Sequence, residues 1–146
     1  MVTEELDQDA RIALLDEYSS NKRSWAIIAL TCVVAIFSII QLRAGIPYRW
    51  IVYLYGAIAV LLSQVGYSFF RYLFYGQMCF SAIRSSPENH NRPYLYRLDA
   101  GIVEDVRKGT LGKITYPFHG FGVWLGWTAA VSLLLWYIAI AYKVLV

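Results

Sequence analysis

The sequence predicts an all-α integral membrane protein with three transmembrane helices. Hydrophobic residues make up 58% of the chain and charged residues 16%, whereas roughly 25% of the residues in soluble domains are charged. The apolar residues are concentrated in three runs and do not follow amphipathic periods. One of these runs, residues 50–70, contains no Asp, Glu, Lys, Arg or His. At about 1.5 Å of rise per residue, it is long enough to cross about 30 Å of hydrocarbon as a helix.

The three runs divide a single membrane domain, residues 1–146, into spans and connections. We predict transmembrane helices over residues 25–42, 50–70 and 118–142. Gly45 and Pro47 interrupt the short connection between the first two spans. So short a connection predicts that these spans form an antiparallel hairpin.

The segment before the first span, residues 1–21, predicts an amphipathic helix on the cytoplasmic surface. Its apolar residues recur at helical spacing, and its polar face is acidic. Membrane-surface helices usually carry Lys or Arg on that face, so we expect this helix to pack against protein. The polar run Ser19, Ser20 and Asn21 is expected to end it before the first span begins.

The long connection, residues 71–116, predicts a partly helical cytoplasmic loop. The second helix is expected either to continue to Arg84 or to bend near Gly76. A linker rich in proline and turn-forming residues follows it. A short helix is then predicted over residues 94–108, because apolar residues recur on one face there.

The distribution of basic residues predicts the orientation. Of the 13 Lys and Arg residues, ten lie before the first span or in the long loop, and the others are Arg43, Arg49 and Lys143. Because cytoplasmic segments carry the excess of Lys and Arg, the N-terminus and the loop are expected in the cytoplasm, with the C-terminus on the opposite side. Four cations near the span ends are expected to contact anionic lipid: Lys22, Arg23, Arg71 and Arg84.

Small residues at four-residue spacing predict where helices pack closely. The third span carries Gly122, Gly126 and Ala130, and the first carries Thr31 and Ala35. Such rows allow a neighbouring backbone to approach. The neighbour can be another span of this chain or a second molecule, and the sequence leaves both open.

A semi-polar stripe runs along one face of the second span and has two interpretations. Its members are Tyr53, Gly56, Ser63, Gln64 and Tyr67. The first interpretation is helix packing, with Gln64 hydrogen-bonded to a neighbouring helix. The second is the lining of a narrow pore or a ligand groove.

Motifs for catalysis are missing from the sequence, so no catalytic residue and no metal ligand is predicted. It has no phosphate-binding or dinucleotide-binding glycine motif, and no HExxH, CxxC or GxSxG pattern. Cys32 and Cys79 are expected to be free thiols. His119, near the start of the third span, is the one weak candidate for binding a cofactor such as a quinone.

These features predict a small non-catalytic integral-membrane subunit or assembly protein. It would act through helix packing with itself or with other membrane proteins, in contact with lipid and without nucleic acid. One alternative is a homo-oligomeric pore lined by the second span. The other is a redox or quinone-associated membrane subunit that uses His119. The membrane cores of the spans carry no Asp, Glu, Lys, Arg or His, which argues against a pump or a proton relay.

Overall fold

The computed structural model describes residues 2–84 and 102–145 of the chain. Within these ranges the regular structure is entirely helical, with no strand. The elements, in order, are α1 (Val2–Leu42), a 3₁₀ turn (Arg43–Gly45), α2 (Tyr48–Arg84), α3 (helical residues 102–108), α4 (Thr110–Thr115) and α5 (Phe121–Leu145).

Three of the described helices are long and apolar enough to cross a membrane. The stretches concerned are Asp9–Gly45, Tyr48–Ala82 and Phe121–Tyr142. The predicted fold class, an all-helical chain with three helices of membrane-spanning length and composition, is therefore confirmed.

The predicted break between an N-terminal helix and the first span is wrong. α1 runs without interruption from Val2 to Leu42, through the polar run at residues 19–21. Ser and Asn are only mildly unfavourable inside a helix, and tertiary packing readily overrides that preference. Here the Ser24 hydroxyl donates to the Ser20 carbonyl at 3.0 Å, so a serine side chain bonds along the helix and does not end it.

α2 continues well past residue 70 and ends at Arg84, and Gly76 lies inside the helix. At its other end, the Ile46 amide donates to the Arg43 carbonyl, and the Trp50 amide donates to the Pro47 carbonyl. These bonds turn the chain between α1 and α2 within five residues. The longer α2 supplies helical surface on both sides of residue 70.

The chain forms two compact units, and α1 and α2 contribute to both. The loop unit comprises Met1–Trp25 and Phe70–Pro117. The span unit comprises Ala26–Phe69 and Phe118–Val146.

The loop unit has its own apolar core where α1, α2 and α3 meet. The core residues are Leu14, Tyr18, Phe74, Met78, Ala82, Ile102 and Val106. Of the helix predicted over 94–108, residues 102–108 are helical and 94–101 lie outside the described residues. Ile102 and Val106, one helical turn apart, place α3 on this core.

α4 closes the loop unit through a tight glycine contact. Gly112 is buried against the Val106 carbonyl of α3. Thr115 is 1% exposed, and its hydroxyl lies 3.3 Å from the Gln77 side-chain oxygen and 3.1 Å from the Leu111 carbonyl. One face of this short helix is thereby fixed against α2 and α3.

Replacing Gly112 with alanine is expected to destabilise the loop unit. The new methyl group would overlap the Val106 carbonyl, and overpacking of this kind costs about 1–3 kcal/mol. The matched control is Gly109→Ala, because Gly109 has φ −70° and ψ 154° and a methyl group there makes an ordinary contact at 3.4 Å. Thermal unfolding of the purified protein, followed by circular dichroism, compares the two. Equal melting temperatures for both variants would contradict the close contact.

Candidate functional site

Polar side chains join α2 to α5 in the span unit, and Gln64 lies at their centre. Its amide nitrogen donates to the Thr128 hydroxyl at 2.7 Å, and its amide oxygen accepts from the Trp124 indole at 2.8 Å. Because both amide atoms of Gln64 are bonded to α5, this residue fixes the rotation of α5 about its own axis and its register along α2. We call the bonded set the polar seam: Ser63 and Gln64 of α2 with Trp124, Trp127, Thr128 and Ser132 of α5.

Ser63 contributes three hydrogen bonds to the polar seam and is 0% exposed. Its hydroxyl donates to the Val60 carbonyl at 2.7 Å and accepts from the Ser132 hydroxyl at 3.0 Å. Its carbonyl accepts from the Trp127 indole at 2.8 Å. Polar groups buried between helices need such partners, because lipid offers none.

Two further bonds extend the contact between α2 and the α5 segment, by which we mean α5 together with the residues from Phe118 that lead into it. The Trp136 indole donates to the Val52 carbonyl at 3.0 Å. The Tyr67 hydroxyl donates to the Phe118 carbonyl at 3.2 Å, and the Tyr67 side chain is 3% exposed. From Val52 to Tyr67, α2 rises about 22 Å, so the bonded contact covers most of a bilayer's hydrocarbon thickness.

The glycines against which the tryptophan side chains of α5 pack lie on α2. A methyl group built on Gly66 would come 3.3 Å from the Trp127 ring, and one built on Gly56 would come 3.5 Å from the Trp136 ring. The sequence reading missed Gly66 and the tryptophans of α5 as packing residues. The spacing of three or four residues from Trp124 through Trp127 and Thr128 to Ser132 was a usable signal.

Four of the five predicted stripe residues lie against the α5 segment. Gly56, Ser63, Gln64 and Tyr67 make the contacts just described, whereas Tyr53 is 65% exposed. The bond from Gln64 to a neighbouring helix is the one that the packing interpretation expected.

The predicted small-residue rows do not lie in the contact between α2 and α5. Methyl groups built on Gly122 and Gly126 meet no atom within 4 Å, and Ala130 is exposed. On α1, Thr31 is exposed with its hydroxyl bonded to the Ile27 carbonyl, and Ala35 is half-buried. The helices of residues 2–84 and 102–145 therefore do not cover Gly122 or Gly126, and of the two neighbours left open a second molecule remains.

The predicted lipid-contacting cations differ in their surroundings. Arg71 is only 7% exposed. Its guanidinium carbon lies 5.5 Å from the Trp25 and Phe74 ring centroids and 5.0 Å from that of Tyr75, and it donates to the Tyr75 hydroxyl at 3.0 Å. This aromatic enclosure gives Arg71 cation–π contacts inside the loop unit, so little of it remains for lipid.

The other three cations lie in different settings. The Lys22 ammonium lies 5.0 Å from the centre of the Tyr72 ring. Arg23 is exposed. The side chain of Arg84 lies outside the part of the chain whose side chains are described.

The candidate cofactor residue, His119, is exposed in the turn before α5. It is followed by Gly120, whose φ of 105° favours glycine. Cys32 and Cys79 are free and half-buried. Among residues 2–84 and 102–145, no group of three or more His, Cys, Asp or Glu side chains could hold a metal ion.

Replacing Gln64 with leucine is expected to weaken the folded span unit. The change removes two interhelical hydrogen bonds, which in membrane proteins are worth about 0.6 kcal/mol each. The matched control is Gln41→Leu, the same substitution at an exposed position of α1. Steric-trapping measurements of the free energy of unfolding in bilayers compare the variants. The assigned role of Gln64 would be wrong if the two substitutions cost the same.

Comparisons with known proteins found no match to this chain among protein-family models, curated proteins or solved structures.

Proposed function

We propose that this protein is a small non-catalytic integral-membrane subunit or assembly protein that packs its helices against itself or other membrane proteins. The observation that carries the proposal is the uncovered glycine row of α5. Gly122 and Gly126 face no atom of the chain within 4 Å of a built methyl group. Without side chains there, a second helix can approach the α5 backbone closely.

The extent of exposed helix surface supports the same function. The 18-residue windows that qualify α1 and α5 as spans contain no buried residue. Leu133 and Tyr137 of α5 and Leu30 and Phe37 of α1 are each at least 60% exposed. Large parts of both helices are thus available to lipid or to a partner helix, and the small residues mark the part best suited to a partner.

The polar groups of the span unit support a packing role over a chemical one. The amide of Gln64 and the hydroxyl of Ser63 are hydrogen-bonded to α5. A pore lined by α2 would need these groups to face a lumen, so we place that alternative second. A redox or quinone-associated role for His119 is placed third and would be recognised by a chromophore or quinone that copurifies with the protein.

The Gly126→Leu variant tests the proposed packing face. A methyl group built on Gly126 meets no described atom within 4 Å, so we expect the fold to persist while association with a second copy or a partner is lost. The measurement is the particle mass in native-membrane nanodiscs, with circular dichroism as the check of folding. Leu133→Ile, at a 60% exposed position of the same helix, serves as the control. An unchanged mass for Gly126→Leu, or a wild-type particle that is strictly monomeric and free of partners, would overturn the proposal.

We further propose that the N-terminus and the loop unit lie in the cytoplasm and that the C-terminus lies on the opposite side, because the basic residues are concentrated in those segments. Single cysteines at positions 90 and 45 test this orientation with a membrane-impermeant thiol reagent on intact cells. The cysteine at 45 replaces a glycine with no atom within 4 Å of a built methyl group, and it should label from outside. The cysteine at 90 should label only after lysis. The reverse pattern would mean that the orientation is wrong.

A further inference from the structure

α4 presents an apolar surface that the described residues of the loop unit leave exposed. Leu111 is 49% exposed and Ile114 is 54% exposed. The opposite face holds Gly112 and Thr115, both buried against α2 and α3. Leu111 and Ile114 are three residues apart and therefore lie on one face.

Chain length keeps α4 close to the membrane that α5 crosses. Ile114 precedes Phe121, the first residue of α5, by seven residues. A fully extended chain of that length covers at most about 25 Å. The exposed apolar face of α4 must therefore lie within that distance of the end of a candidate span.

Three cations lie near this face, and one of them, Arg107, is paired with an acid. Arg107 has a 58% exposed side chain, and Lys108 and Lys113 are also exposed. The nearest acid, Glu104, lies 3.8 Å from Arg107. From Val106 to Val146 the sequence contains no Asp or Glu. A short apolar face flanked by basic residues is the pattern of a helix that lies in the membrane interface.

We propose that α4 lies in the interface of the adjacent bilayer leaflet and binds anionic lipid. Leu111 and Ile114 insert at the boundary between headgroups and acyl chains, and Arg107, Lys108 and Lys113 contact lipid phosphates. A bilayer is favoured over a protein as the occupant because two apolar side chains are far less than the roughly 800 Å² that each partner buries in a stable protein interface. This inference requires only that α5 spans the membrane, and it is independent of the proposed packing function.

The test places an environment-sensitive fluorophore on α4 of the full-length protein. In a Cys32→Ala, Cys79→Ala background, single cysteines replace Leu111, Ile114 or Ile12, and each is labelled with bimane. The control position, Ile12, is 57% exposed. It lies on α1, outside the span predicted over residues 25–42 and 13 residues before its start at Trp25, which is about 20 Å along the helix axis. The protein is reconstituted into nanodiscs of phosphatidylcholine alone or with phosphatidylglycerol, and quenching by a nitroxide-labelled lipid is measured.

The expected result is loss of fluorescence at positions 111 and 114 but not at position 12, with a greater loss in the anionic nanodiscs. The double variant Lys108→Glu, Lys113→Glu should reduce quenching at 114 in anionic nanodiscs to the level seen in phosphatidylcholine, because reversed charges repel the phosphates. Three results would overturn the proposal. One is no lipid quenching at 111 and 114. A second is equal quenching in both lipid compositions. The third is protection of both labels from aqueous iodide as well as from lipid, which would mean that protein covers α4.

Discussion

The hydrogen bonds of Gln64 to Trp124 and Thr128 set how α5 lies against α2. In a bilayer, no water is present to satisfy a buried amide, an indole N–H or a hydroxyl, so such groups bond to each other. Lipid tails are as apolar as leucine side chains, and apolar contact alone therefore does not select one face of a helix. The polar seam supplies that selection, and the side of α5 that carries it becomes the inner side.

The polar seam explains which glycines lie at the contact between α2 and α5. Bulky indoles point from α5 toward α2, so the glycines that give them room, Gly56 and Gly66, are on α2. Gly122 and Gly126 lie on another face of α5, and a methyl group built on either meets no atom of the described residues within 4 Å. α2 also carries Phe74 and Met78 of the loop-unit core, so this one helix supports both units.

The three spans could be predicted from the sequence, but the continuity of α1 and the face of α5 that contacts α2 could not. Long apolar runs predict spans because hydrogen-bonded helices are among the few structures that lipid tolerates. The bonding role of Gln64 was also foreseen as one of two interpretations, since an amide in such a run needs a partner. The polar run at 19–21 misled because serine and asparagine have only weak preferences, which packing of Leu14 and Tyr18 in the core can override. The sequence did not indicate that α5 turns its tryptophans toward α2. Small residues on one side of α5 and tryptophans on the other both suit helix contacts, and only the positions of the described helices show which side faces α2.

The most direct test of this account is a disulfide across the polar seam. The Ser63 and Ser132 hydroxyl oxygens are 3.0 Å apart, so cysteines at these positions are close enough to form a disulfide. In a background without Cys32 and Cys79, mild oxidation of the Ser63→Cys, Ser132→Cys protein should give an intramolecular cross-link, detected by mass spectrometry. The Ser63→Cys, Gly126→Cys protein should give none. The opposite result would be an intramolecular cross-link between positions 63 and 126 and none between 63 and 132. It would show that α5 packs against α2 through its glycine row, and it would contradict the account.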